Sequence, residues 1–476
     1  MTVRLLINKK NILTALFIFS FLICFSQIKT DTFSVFIINE ILVKGNNSTK
    51  EKIIIRELTF SQGDTLQSSQ LNNIFEKSKQ NLLNTSLFNF VTIEYFAEYS
   101  NYLSVYILVE ERWYIWPNPI FEYADRNFST FIHNKNWNKI NYGMFLSHNN
   151  FRGRKEKLDL KFRLGYKEQF AIYYEKPNLD KDHKHGLIAD ISYFRKHESD
   201  IKTLNNDVEY FDYEKKYLWK LLGIKMSYLF RPQYYNTSKF TIQYNSNSIH
   251  DTIAILNPNY LGEGKTNQQL LSFGYQFIRD KRDSKVYPLT GYYFDFYFMQ
   301  DGFKILDNFT TTIFKNVFSF HDQLSKSFFY SSGVKWSHST NKYLPYHKNY
   351  ALGYSDFLHG LEYYVIDGPT YILSKNNLKY QLLAPRTEIL KYIPFKKFNK
   401  VHYAMYLNLF FDMGYVNDEN QLQQINSLVN KFLYSFGIGY DFVTYYDQTL
   451  RLEYSFNQLG EHGFFFHFGA PIIGKN

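Results

Sequence analysis

Leu450-Arg451-Leu452-Glu453-Tyr454-Ser455-Phe456 carries an apolar side chain at every even position and a polar or charged one at every odd position. Successive side chains of a strand point to opposite faces, so this run reads as a strand with one apolar and one polar face. The turn-forming stretch Asn457 to Gly463 and the aromatic run Phe464-Phe465-Phe466-His467-Phe468 complete a hairpin.

The same pattern extends upstream. Lys157 to Gly165, Gln169 to Lys176, Leu187 to Arg195, Leu270 to Phe277, Tyr292 to Met299, Val401 to Asp412 and Phe432 to Phe442 all read as strands separated by polar turns. The 350 residues from Asn127 onward contain no amphipathic helical stretch of any length. At about 22 residues per strand and connection they hold about sixteen strands, an even number that puts both ends of an antiparallel barrel on one side. The longer polar segments Asn178 to Lys184, His197 to Asp207, Ser246 to Gln268 and Ser337 to Tyr350 are expected as extracellular loops.

Composition supports a membrane barrel over a soluble all-β array. Aromatic residues make up 20% of the 476-residue chain, with 42 Tyr and 47 Phe, yet the mean hydropathy is only −0.36. Aromatics spread along alternating strands suit a lipid-facing wall with interfacial girdles and a polar lumen. The one long apolar stretch, Ile12 to Phe25, follows Arg4, Lys9 and Lys10 and leads to Cys24-Phe25-Ser26. It reads as a signal peptide over residues 1–26, too short to span a bilayer. Ile23 is bulkier than a lipidation site wants before Cys24, so cleavage after Ser26 is expected, leaving a mature chain without cysteine. The net charge of +10 is scattered among acids. It fits contact with outer-membrane lipid headgroups rather than nucleic acid.

Residues 27–111 follow a different pattern, with the order β-α-α-β-β. Val35 to Lys44 reads as a strand ending at the turn Gly45-Asn46-Asn47, and Ser48 with Glu51 as a capping box opening a helix through Leu58. Leu71, Ile74, Phe75, Leu82 and Leu83 recur at helical spacing and predict a helix from about Ser68 to Asn84. Val91 to Tyr99 and Leu103 to Glu110 follow as strands joined at Ser100-Asn101. Residues 112–126 read as a linker, with Trp113, Tyr114 and Trp116 at headgroup level. The barrel is expected over residues 127–476.

On Ile41-Leu42-Val43-Lys44-Gly45-Asn46, Arg56-Glu57-Leu58, Gly63-Asp64 and Leu87-Phe88-Asn89-Phe90-Val91, the N-terminal segment resembles a POTRA domain. The resemblance implies that its sheet edge accepts extended peptides by strand addition, or that it is a spacer orienting the barrel. Asp280, Arg282 and Asp283, followed by Pro288 and Gly291, resemble the D-x-R-D…P-x-x-G hairpin of BamA and TamA relatives, the outer-membrane assembly-factor and surface-antigen family. That hairpin reads as architectural.

The stretch Ala351 to Gly368 resembles the family loop that folds back into the lumen with an R-G-F/Y tip. Here His359 and Leu361 replace the arginine and the aromatic, and Gly360 is kept. Phe411-Asp412-Met413-Gly414 resembles the strand whose acid holds the loop tip, and Asn377 fits the strand that follows the loop. The implied expectation is a His359–Asp412 pair, weaker than arginine's fork and dependent on pH; the alternative is a solvated His359.

No H-E-x-x-H, G-x-S-x-G, P-loop or dinucleotide fingerprint occurs, and the 13 His show no ligand spacing. No enzyme activity, cofactor or metal is expected. The resemblance implies an outer-membrane protein, its N-terminal domain in the periplasm, that inserts or translocates polypeptides. Its partners would be unfolded outer-membrane or secreted polypeptides, periplasmic or lipoprotein subunits, and lipid. A passive pore or receptor, or a surface structural protein, is the alternative.

Overall fold

The computed structural model describes residues 35–97, 101–123, 140–180, 182–419, 425–444 and 448–468. The signal segment, the Ser100 side of the first hairpin turn and the tail from Ala470 lie outside these.

The N-terminal domain comprises β1 (Val35–Lys44), α1 (Glu51–Ile55), β2 (Thr65–Gln67), α2 (Ser68–Leu83), β3 (Phe88–Ala97) and β4 (Tyr102–Glu111). Its sheet has the order β2-β1-β4-β3, with β1 parallel to β4. The short β2 was not expected. Leu71, Phe75 and Leu82 of α2 join Ile38, Val91, Val105 and Ile107 in one apolar core, as their spacing predicts. Ser48 does not cap α1, whose N-cap is Lys50 without a side-chain bond. Instead Glu111, at the end of β4, accepts the backbone N–H of Ser48 and of Thr49, the latter at 2.6 Å. A carboxylate from a distant strand thus satisfies donors that a local residue was expected to satisfy.

The remaining strands of the main sheet are β5 (Ile115–Tyr123), β6 (Ile140–Phe151), β7 (Glu156–Gly165), β8 (Lys167–Lys176), β9 (His185–Lys196), β12 (Trp219–Gln233), β13 (Asn236–Ile249), β14 (Asn267–Asp280), β15 (Gly291–Asp301), β16 (Thr311–Gln323), β17 (Phe328–Ser339), β20 (Thr370–Ile389), β21 (Lys400–Asn417), β22 (Phe432–Thr444), β23 (Gln448–Asn457) and β24 (His462–Phe468). They form one sixteen-stranded antiparallel sheet in chain order, with β5 and β24 at its edges. Two small hairpins, β10 (Glu198–Leu204) with β11 (Asp207–Asp212) and β18 (Tyr350–Leu352) with β19 (Ile366–Asp367), stand in the connections.

Three expectations are corrected by the structure. Residues 115–123, read as linker, form the first strand of the sheet, paired to β6 from Ile115–His148 to Tyr123–Ile140. Pro117 and Pro119 disguise it, and a strand at the sheet edge is where missing N–H donors are tolerated. Tyr114 does not lie at a headgroup surface: it is buried and its hydroxyl donates to the Leu87 carbonyl at 2.9 Å. Asn178 to Lys184 cannot share an end with His197 to Asp207, because only β9 separates them. It lies at the N-terminal-domain end. The longer far-end connections are 197–218, 250–266, 302–310 and 340–369, together with the described parts of 418–431.

Burial in this sheet is the inverse of a soluble protein's. Arg451, Glu453 and Ser455 are 0–2% exposed, while Leu452 on the same strand is 54% exposed and Phe456 38%. Phe432, Phe436, Ile438, Leu409 and Phe464 also face outward. An apolar exterior around a charged interior requires lipid outside and a lumen inside. No described helix is long and apolar enough to cross a membrane. The sheet curls until its inner side chains meet, as where Tyr287, between β14 and β15, donates to Asp441 on β22 at 2.7 Å.

Candidate functional site

The far-end connections fold over the lumen. The β10–β11 hairpin turns at Asn205 and Asn206, both with positive φ, which asparagine tolerates in a two-residue hairpin turn. Asn206 then receives the N–H of Val365 on its carbonyl at 2.8 Å, and its own N–H donates to Asn426. Thr203 donates to Asp367 at 2.5 Å, and Tyr350 to Asp200 at 2.6 Å.

Beyond this lid, the 340–369 connection descends into the barrel and presents His359, Gly360 and Leu361. His359 is completely buried. Its Nδ1 lies 2.6 Å from Asp412 Oδ2, and its backbone N–H donates to the same oxygen at 3.1 Å. His359 is therefore no solvated loop residue. Lys375 Nζ lies 3.8 Å from that oxygen, and the Phe410 ring packs on the imidazole at 4.6 Å.

Gly360 has φ +79, and a Cβ there would stand 3.0 Å from the Cβ of Ser455. Its carbonyl accepts from Asn457 Nδ2 at 2.8 Å. Leu361 packs with Leu352, Leu358 and Val416, doing by apolar contact what an aromatic would do by stacking. Gly414 faces Leu358 so closely that a Cβ would come within 2.9 Å. Asn377, on β20, accepts from Asn408 Nδ2 at 3.0 Å.

The hairpin residues gather at the opposite end, in the turn between β14 and β15. Arg282 grips Asp280 with two bonds of 2.8 Å and lies over the Tyr293 ring. Asp283 accepts backbone N–H bonds from Ser284, Leu289 and Thr290. Burial pushes its carboxyl above the usual range despite these donors. The carbonyl of Pro288 takes Lys379 Nζ at 3.1 Å. Gly291 has φ +97, and a Cβ would fall 2.2 Å from the Lys281 carbonyl oxygen. The two motifs lie at opposite ends of the lumen.

Sequence reading missed the charges that hold the lumen. Arg451 binds Asp441 at 2.5 and 2.7 Å, with both side chains fully buried. Glu453 faces His467 at 3.3 Å, and His467 stacks on Phe357. The inward positions of Arg451 and Glu453 are legible in the alternation of β23, but their partners are not. Glu362, Glu453 and His467 each bring one ligand atom within 4.8 Å of the others.

The N-terminal domain meets the barrel around much of its rim. Lys50 N–H donates to Gly153, Arg231 holds Glu57, Asn84 donates to the Asp283 carbonyl, and Lys400 pairs with Glu110. Its sheet edge β3 carries exposed Tyr95 and Phe96.

A family model described as the Omp85 superfamily domain matches residues 150–470, and one described as a surface antigen variable number repeat, POTRA, matches residues 36–112. CdiB from Escherichia coli is similar in structure, with a TM-score of 0.52, 10% identity, and coverage of 91% of this chain and 76% of that one. BamA from Haemophilus ducreyi lacking POTRA domains 1-3 gives a TM-score of 0.49 at 14% identity, covering 91% and 84%. Comparison with curated proteins finds no match.

Proposed function

Because this chain belongs to the Omp85 superfamily, we propose that it inserts or translocates polypeptides at the outer membrane, receiving extended clients on a periplasmic POTRA domain. The observation that carries this reading is the edge strand β3. It is ten residues long, lies at the rim of the domain sheet, and has no ladder partner on its outer side among the described residues. A free edge templates an incoming strand through backbone hydrogen bonds, and the exposed Tyr95 and Phe96 offer apolar contact to alternate client side chains. The seam of the barrel, where β5 and β24 form the two edges of the main sheet, would offer a second template of the same kind.

The lumen weighs against a permanently open pore. The 340–369 connection occupies it from one end, and the POTRA domain is bonded to turns around the other.

The test is reconstitution of the purified chain in liposomes with an unfolded barrel client, scoring folding by heat-modifiable mobility. Faster folding than in empty liposomes, reduced by Phe96→Lys on the β3 edge, is the expected result. No acceleration, together with a steady ion conductance, would transfer the assignment to a pore.

A further inference from the structure

We propose that His359, Glu362, Glu453 and His467 form a binding site for a first-row divalent transition metal, with zinc matching the two imidazole and two carboxylate ligands. Three of the four supply ligand atoms mutually within 4.8 Å. His467 Nε2 lies 3.3 Å from Glu453 Oε1 and 3.5 Å from Glu362 Oε1, and His359 Nε2 lies 3.8 Å from Glu453 Oε2. Ligand atoms bound tetrahedrally at about 2.0–2.1 Å from zinc stand about 3.3 Å apart, which the His467–Glu453 and His467–Glu362 separations already match. His359, outside that group of three, reaches Glu453 through its other carboxylate oxygen and completes the set by a further side-chain movement.

The donor atoms are prepared for a cation. Asp412 accepts a hydrogen bond from Nδ1–H of His359 at 2.6 Å, which fixes the tautomer and leaves Nε2 with its lone pair free. A carboxylate behind an imidazole is the arrangement that orients metal-bound histidines and raises their basicity. His359 Nε2, Glu453 Oε2 and both Glu362 carboxylate oxygens are buried without a hydrogen-bond partner. His359 and Glu453 are 0% and 2% exposed. Buried polar atoms are otherwise paired almost without exception, and four orphans on three neighbouring side chains are what a missing ligand leaves.

Charge gives the same answer independently. Among the described residues, the carboxylates of Asp412, Glu453 and Glu362 face one ammonium, that of Lys375, 3.8 Å from Asp412. Arg451 is already committed to Asp441. With neutral imidazoles the cluster carries two uncompensated negative charges, which one divalent ion balances. The competing solution is protonation of both histidines. An ion here would fasten the loop, through His359 and Glu362, to β23 and β24, the last hairpin of the sheet.

The experiment uses the full chain folded in detergent, stripped with a chelator and titrated with zinc against a chromophoric competitor. One equivalent is expected, weakened at least tenfold in Glu362→Gln and in His467→Gln and unchanged in His338→Gln, a histidine on β17 bonded to Thr370. Asp412→Asn is expected to weaken zinc by about 10–100-fold. Because these variants sit in the lumen, folding is checked by heat-modifiable mobility. Wild-type protein loaded with cobalt(II) provides a second readout, a visible absorption band of a four-coordinate nitrogen and oxygen site. Failure of wild type to hold zinc, or retention equal to wild type in both Glu362→Gln and His467→Gln, overturns the site and leaves protonation as the charge balance.

Discussion

Glu57 of the POTRA domain is gripped by both terminal guanidinium nitrogens of Arg231 at the rim end of β12, at 2.8 and 2.9 Å, while being only 2% exposed. Lys155 Nζ lies 3.7 Å away on a neighbouring turn, and Tyr234 donates to the adjacent Leu58 carbonyl. This contact sets where the POTRA domain stands on the barrel. Glu57→Gln leaves Arg231 and Lys155 without their counter-charge, and breaking one side of a buried pair costs about 3–5 kcal/mol. Faster proteolytic cleavage between the domain and β5 is the measurement, with the barrel's heat-modifiable mobility intact.

The pH dependence of that contact follows from the same residues. Burial alone would raise the Glu57 carboxyl, but Lys155 and Arg231 overcome it and hold the group well below the usual carboxylate range. A depressed folded pKa contributes stability that is complete above the unfolded value of about 4.5 and is lost as pH falls through the folded one. The Glu57 contribution to docking should therefore be complete above about pH 5 and be lost only in stronger acid, while burial brings the neighbouring Lys155 ammonium down to about 8 and adds its own dependence there. The difference in cleavage rate between wild type and Glu57→Gln should be flat from pH 5 to pH 7, and a difference that vanishes within that range would contradict it.

Asp367 at the lid behaves oppositely. Burial raises its carboxyl to about 6, despite donation from Thr203 and Tyr354, with Asp200 and Asp418 adding to the rise. The folded lid then holds a proton that the unfolded carboxyl releases near about 4, so stability falls as pH rises from there through 6. Protease protection of the 340–369 connection should be greater at pH 5 than at pH 7, and Asp367→Asn should remove the difference.

Gly291→Ala should impair the rim turn between β14 and β15. It adds left-handed strain of about 1–2 kcal/mol to a Cβ placed 2.2 Å from the Lys281 carbonyl oxygen. A lower unfolding midpoint in denaturant, or loss of the folded band, is expected. Gly460→Ala, where φ is +80 but no atom lies within 4 Å, isolates the strain component and should cost less.

Tyr287→Phe removes a bond of 2.7 Å to Asp441 while Arg451 still holds that carboxylate through two others. The loss should be about 1 kcal/mol. Equilibrium unfolding in detergent measures it, and an effect several times larger would mean that the turn and the lumen cluster unfold together.

Particular residues mark how far the sequence could be read. The α2 face of Leu71, Phe75 and Leu82 and the alternation of β23 are repeats of period 3.6 or 2, decided by a few neighbouring positions, and the strand count followed from the length over which that alternation persists. The β5 strand was hidden because its two prolines contradict strand propensity, and only its place at a sheet edge excuses them. Glu111 replaced Ser48 at the start of α1 because β4 passes beside it, a proximity that no local pattern encodes.

The sequence by itself determined that one face of each strand is apolar and the other polar, and hence that the chain folds around a charged interior within lipid. Which charges meet inside was decided only by the tertiary structure. His359, Glu453 and His467, like Asp441 and Tyr287, are brought together by the curl of the sheet and the descent of one long connection into it. Pairing across a lumen depends on strand register and curvature accumulated over sixteen strands, whereas the alternation that places each side chain inside or outside is settled within its own strand.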